Sequence, residues 1–411
     1  MNFRKIVYSL GLLWWTSALF GQTSLQRRVV DLGMEEVAVA RTESATYLTW
    51  EDNVYRGSYR GLYEVICSVL NSETDSDIYL VVQEDRFPQL EVCLRQDVMD
   101  DYRRGDLSLS EVMQTLELSR HTDASARQLK GAKRVNRMAG KVDLVLDPYL
   151  SLTNAWMDKI YGVQFDLAPT LRIGLWKGAT FTGQVILPVW NNMTGQMDYV
   201  RPGTVTIRQE LRLPKNIFAS VSVGNFSNYR MGVDGSLQYR TDDDRWGFGL
   251  NGGLTGYSTF YNGDWKVSKW KQVTGAAWVR YTEPHYNMDF DVRAIRCIFG
   301  DMGAMADCTR HFGEVSIGFY AMITDGEVNG GFHFCVPLSP RKQMKRRAFR
   351  VALPEYFPMR YEAQSGNEYA ARRLGRFYHA RPDDGRSDHY YNPDYIQDNL
   401  IRLAKQEKRT K

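Results

Sequence analysis

The chain has 411 residues, with 52 basic and 48 acidic side chains and a net charge of +4, a balance too even for a nucleic-acid partner. Aromatic residues make up 13% of it, with 34 glycines and 24 tyrosines, which suits many strands, tight turns and interfacial rings. A mean hydropathy of −0.42 excludes a bundle of membrane-spanning helices but not a transmembrane barrel, where every second residue faces the lumen.

Residues 1–22 read as a signal peptide. Arg4 and Lys5 supply the charged start, and Ile6 to Phe20 is an uncharged apolar run. At about 15 residues it is short of the ~20 a spanning helix needs. Ser17, Ala18 and Gly21 place cleavage around Gly21 to Thr23. No Cys follows the small residues, so a lipid anchor is not indicated.

Residues 24–125 read as a small α/β module of the periplasm. Tyr59 to Asn71 has apolar residues at helical spacing: Leu62, Val65, Ile66, Val69 and Leu70. Ile78 to Val82 is a buried-strand run and Leu90 to Leu94 its partner, with Pro88 placed in the turn between them. Residues 126–141 are basic and read as a solvated linker.

From 142 to 340 the apolar period changes to two. Phe181, Val185 and Leu187 mark one such stretch; Val221 and Val223, then Trp246, Phe248 and Leu250, then Phe290 and Val292, then Ile317 and Phe319 mark others. Their lengths match the ~9–11 residues of a tilted membrane strand. Turn signals separate them, among them Asn262-Gly263-Asp264 and Asp325-Gly326. Aromatics gather at the strand ends: Trp156, Tyr161, Trp176, Trp190, Tyr239, Trp246, Tyr257, Trp270 and Tyr281. The pattern predicts a mostly β protein, an antiparallel transmembrane barrel of roughly 12 strands, with a soluble β-sandwich as the alternative. Residues 341–411 form a basic, Tyr/Arg-rich tail. Within it FRVALPEYFPMRYEAQ reads as a last strand or an extended plug, and Tyr395 to Gln406 is weakly helical.

Four stretches carry a family resemblance. They are Arg56-Gly57-Ser58-Tyr59-Arg60-Gly61-Leu62-Tyr63-Glu64-Val65; Thr170 to Leu175 with Gly178 to Pro188; Phe218 to Tyr239 with Arg245 to Gly249; and Gly318-Phe319-Tyr320, Asp325-Gly326 and Gly330 to Leu338. Their order resembles the YjbH-like (YbjH/GfcD) exopolysaccharide biosynthesis family. The resemblance implies an outer-membrane barrel that assists export or assembly of exopolysaccharide or capsule, with the lipid, the polysaccharide and other export-locus proteins as partners. It brings no catalytic residues.

The residues themselves indicate no enzyme. No HExxH, GxSxG, GxGxxG or Walker sequence occurs, and the six histidines form no pair at ligand spacing, so no metal or cofactor is expected. Cys67–Cys93 and Cys297–Cys308 are conceivable disulfides. Asp289 and Asp291 on one strand face are the nearest approach to a hydrolase carboxylate pair. If the strands close, Trp278, Arg280, Asp289, Asp291, Arg293, Glu314 and Tyr320 face the lumen together. There they either contact a hydrated glycan or pair with each other and plug a narrow barrel. The remaining alternatives are a generic outer-membrane channel or secretion accessory, and a soluble carbohydrate-binding or glycoside-hydrolysing β-protein.

Overall fold

A computed structural model describes residues 24–410 apart from 56, 73–74, 155–160, 193–197, 364–366 and 383–387. The segment read as a signal peptide, residues 1–22, and Trp156 of the aromatic set lie outside the described residues.

The N-terminal module begins with α1 (Ser24–Leu32) and builds one sheet in the order β1-β2-β3-β4-β5. The strands are β1 (Glu35–Arg41), β2 (Ala45–Glu51), β3 (Asp77–Glu84), β4 (Phe87–Leu94) and β5 (Glu117–Ser119). β2 and β3 run parallel, and a parallel pair needs a crossover. Helix α2 (Arg60–Leu70) supplies it, burying Leu62, Tyr63, Val65, Ile66, Val69 and Leu70, the helical stripe seen in the sequence. Three short helices follow: α3 (Gln96–Arg104), α4 (Leu109–Thr115) and α5 (Asp123–Gln128).

Two local expectations are revised. Asp85 and Arg86, with φ of 48° and 66°, make the β3–β4 turn. Pro88 lies inside β4 opposite Gln83, beside a register shift, where a residue without an N–H is tolerated. The basic segment 126–141 is not a free linker either. Val135 and Val37 exchange backbone hydrogen bonds of 3.1 and 2.9 Å, and Arg134 donates to Gln83 at 2.9 Å.

The second unit is a closed barrel. Its strands are β6 (Val142–Asn154), β7 (Tyr161–Gly174), β8 (Ala179–Asn191), β9 (Arg201–Leu213), β10 (Ile217–Phe226), β11 (Arg230–Arg240) and β12 (Trp246–Tyr261). After β13 (Asp264–Val267), a short hairpin arm on β12, come β14 (Gln272–Glu283), β15 (Met288–Arg296), β16 (Met302–Phe312), β17 (Val315–Thr324) and β18 (Glu327–Pro337). Last come β19 (Phe349–Ala352) and β20 (Tyr356–Ala363). Neighbours pair antiparallel around the ring, and β20 closes it on β6, giving 13 strands.

An odd count forces the closing pair to run parallel. β19 pairs with Val142 to Val145 and β20 with Leu152 and Thr153, both parallel to β6. The register slips between them at Pro354, so β19 and β20 act as one last strand broken in the middle. The stretch that read as a strand or a plug is therefore a strand, and the barrel extends past 340 to Ala363.

Alternation sets the two faces. Along β17, Phe319 is 67% exposed while its neighbour Tyr320 is 5% exposed. Val221, Val223, Leu250, Val279, Val292, Ile317 and Ile323 share the exposed face. Trp176, Tyr239, Trp246 and Phe312 ring the end where the module sits, here the near mouth; Trp190 and Tyr257 lie toward the opposite, far mouth. The inner face is polar, with Thr170, Gln184, Thr206, Ser222 and Asp291 buried. A sheet that closes on itself and is apolar outside excludes the two-sheet sandwich, whose core lies between its sheets.

A buried ionic junction fixes module to barrel. Glu35 of β1 and Asp143 of β6, 1% and 2% exposed, hold Arg346 between them. Arg346 Nη1 donates to Asp143 at 2.9 Å, and Arg350 Nε donates to the other Asp143 oxygen at 2.8 Å. Lys141 Nζ and Asn53 Nδ2 complete the shell of Glu35 at 2.8 and 2.7 Å.

Candidate functional site in the barrel lumen

The sequence-predicted residues fall in four places, three inside the barrel and one in a turn at its mouth. Strands β14 and β15 pair Trp278 with Arg293, Arg280 with Asp291 and Thr282 with Asp289, so these side chains share one face of the sheet. Arg280 Nη2 donates to Asp291 at 3.1 Å, Arg293 donates to the other oxygen, and the Arg280 guanidinium lies 5.3 Å from the Trp278 ring centre. Trp278 Nε1 donates to Asn251 at 3.0 Å. Asp289 sits lower, toward the near mouth. It accepts from Thr282 at 2.7 Å and meets His311 Nε2 at 3.0 Å and His389 Nδ1 at 3.2 Å. Glu314 is apart from both groups, in the β16–β17 turn, paired with Arg341 at 2.7 Å. Tyr320 is on β17, its hydroxyl 3.2 Å from the Tyr361 carbonyl and its ring 3.8 Å from the Arg360 guanidinium.

The charges thus pair with one another. Asp291 is engaged by two arginines and Asp289 by two histidines and a threonine, so this carboxylate pair is already bound within the protein. The rings of Trp278 and Tyr320 each carry a guanidinium.

The glycines of β12 make room for this packing. A Cβ on Gly249 would fall 2.2 Å from the Trp278 indole. Gly249→Val is expected to cost roughly 1–3 kcal/mol through overpacking, read as a lower urea midpoint in micelles. Gly252→Ala, whose Cβ would meet its nearest neighbour only at 3.9 Å, is expected to leave the midpoint in place.

The tail occupies the same lumen, which the sequence did not reveal. After β20 the chain forms α6 (Asn367–Ala371) at the far mouth. Tyr369 and Leu374 pack with Ile295, Met305, Tyr320 and Met322 in an apolar cluster on the inner wall. Tyr378 stacks on Phe226 at 5.1 Å and donates to Asp234 at 2.8 Å, with Thr274 Oγ1 3.1 Å away. His389 then meets Asp289 near the opposite mouth. The tail therefore lines the lumen on both sides of residues 383–387.

Beyond the near mouth the tail ends in α7 (Pro393–Thr410), which docks on the module. Tyr395, Ile396, Leu400 and Ala404 enter the same core as Val29, Trp50 and Ile66. Tyr59 stacks on Tyr390 at 4.8 Å, and Tyr63 donates to Glu407 at 2.6 Å. Burial pushes the Tyr395 phenol up to about 12, and burial raises Tyr59 and, with the Glu407 hydrogen bond, Tyr63. Raised phenols stabilise docking fully below the unfolded value of about 10 and lose that contribution as pH rises through the folded values. The tail is expected to stay docked at neutral pH and to loosen as pH rises above about 10, read by the fluorescence of a dye attached at position 405; a signal unchanged across that range would refute the assignment.

All five cysteines are free thiols, so neither conceivable disulfide forms. Burial pushes the Cys67 and Cys93 thiols of the module up to about 11.

An N-terminal α/β module, a closed barrel with an apolar exterior and a polar interior lined by its own tail define the class of β-barrel proteins with an attached α/β module. Within that class the chain belongs to the YbjH exopolysaccharide biosynthesis family: the family described as "Exopolysaccharide biosynthesis protein YbjH" matches residues 17–333. No curated protein and no solved structure gives a significant match.

Proposed function

We propose that the protein is a non-enzymatic outer-membrane β-barrel that assists export or assembly of exopolysaccharide or capsule, with its α/β module in the periplasm. The observation that carries this reading is the exterior: a closed ring of strands with its large apolar side chains turned outward. In water such a belt is a liability; in lipid it is the surface a closed barrel requires. Membership of an exopolysaccharide biosynthesis family supplies the process.

A lumen lined by the protein's own tail favours a scaffold or gated role over a permanently open porin. The module, rigidly joined to the barrel at Glu35 and Asp143, is the docking part for other export proteins. Trp278, Arg280, Asp291, Arg293 and Tyr320 would meet a glycan once the tail is displaced.

Fractionation of a tagged chain in a Gram-negative host, with samples run unheated and boiled, tests the location. Outer-membrane recovery with a mobility shift on boiling is expected, and a soluble protein with no shift would sink the reading. Deletion of the gene should lower surface polysaccharide, with restoration by the intact chain. Unchanged polysaccharide with the Trp278→Ala, Tyr320→Ala double variant would remove the glycan-contact part alone.

A further inference from the structure

We propose that Asp289, His311 and His389 form a binding site for a divalent transition-metal ion of the zinc class, which staples the tail to the barrel wall. The three side chains are buried, come from β15, β16 and the tail, and present ligand-type atoms all within 4.8 Å of one another. Two imidazoles and a carboxylate are a donor set suited to zinc, with a fourth position left for water.

The surroundings fit that use. Thr282 Oγ1 donates to Asp289 at 2.7 Å, the kind of outer contact that orients a ligating carboxylate. A cavity of about 30 Å³ adjoins both histidines and is bounded by Tyr59, Gly313, Glu314 and Tyr395, large enough for one water. The two imidazoles stack with centroids 4.3 Å apart and planes within 5°. A metal would draw them out of that stack, because both lone pairs must converge on one point at about 2.0–2.1 Å. His389 stands in a short 3-10 turn of the tail, Asp388–Tyr391. Binding releases the protons that the imidazole nitrogens facing Asp289 share with its carboxylate, and neither oxidant nor reductant is involved.

The test uses the full chain in detergent, stripped with chelator and titrated with Co²⁺. Saturable binding near one equivalent per chain, with the visible absorption of tetrahedral Co²⁺, is expected. His311→Ala and His389→Ala should each abolish it, His285→Ala should not, and Thr282→Val should weaken it about 10–100-fold. His389→Cys should restore binding and add a thiolate charge-transfer band, which separates ligand loss from misfolding. No saturable absorption in the wild type, or the same absorption in both alanine variants, overturns the site and leaves the barrel reading untouched.

Discussion

Replacing Asp143 with alanine is expected to lower the unfolding free energy by roughly 3–5 kcal/mol, the usual cost of removing one partner from a buried charge network. Arg346 and Arg350 both hold this carboxylate, and Asp143 is itself almost wholly buried. Without it Arg346 is left with Glu35 and Arg350 with the carbonyls of Asn53 and Met344, in a space sealed from water. The effect should be read as a fall in the urea midpoint of the protein in micelles, followed by tryptophan fluorescence. Asp143→Asn, which keeps the volume and one acceptor, should fall between wild type and alanine. A midpoint unchanged in Asp143→Ala would mean that the junction is solvated and that module and barrel move independently.

Leu400→Ala should act on the module although Leu400 lies 281 residues or more from that module's strands in the chain. Its side chain is fully buried between the helices and sheet of the N-terminal core, so truncation should cost about 2–5 kcal/mol. Hydrogen exchange is the discriminating measurement. Amides of α2 and β3 are expected to lose protection while those of β14 to β17 keep it. Lys405→Ala, on the exposed side of α7, should shift stability by no more than about 0.5 kcal/mol. Equal protection of α2 in wild type and Leu400→Ala would show that the tail only rests on the module.

The parts legible in the sequence were those governed by local period. The stripe Leu62, Val65, Ile66, Val69, Leu70 announced α2, and alternation such as Ile317, Phe319 against Gly318, Tyr320 announced both a barrel strand and its two faces. The parts that were hidden depend on long-range partners. Nothing in the basic run Arg341 to Arg347 singles out Arg346, which is buried between Glu35 and Asp143. Pro354 obscures the last strand by breaking its register. His311 and His389 carry no signal of their meeting, since neither lies near the other in sequence and only the path of the tail unites them.

The parallel seam between β6 and the broken last strand has a consequence for how the molecule is made. A tail segment that lies inside a ring must either be pushed through it afterwards or be enclosed as the ring forms, and threading a finished ring is a route that natural chains avoid. Closure is described by only a few residues of β19 and β20 against β6, whereas the hairpins pair along most of their length. The seam is therefore the shortest ladder of the ring. Zipping it after α7 has met the module would wrap the wall around its own cord, so that assembly ends with the two termini already joined.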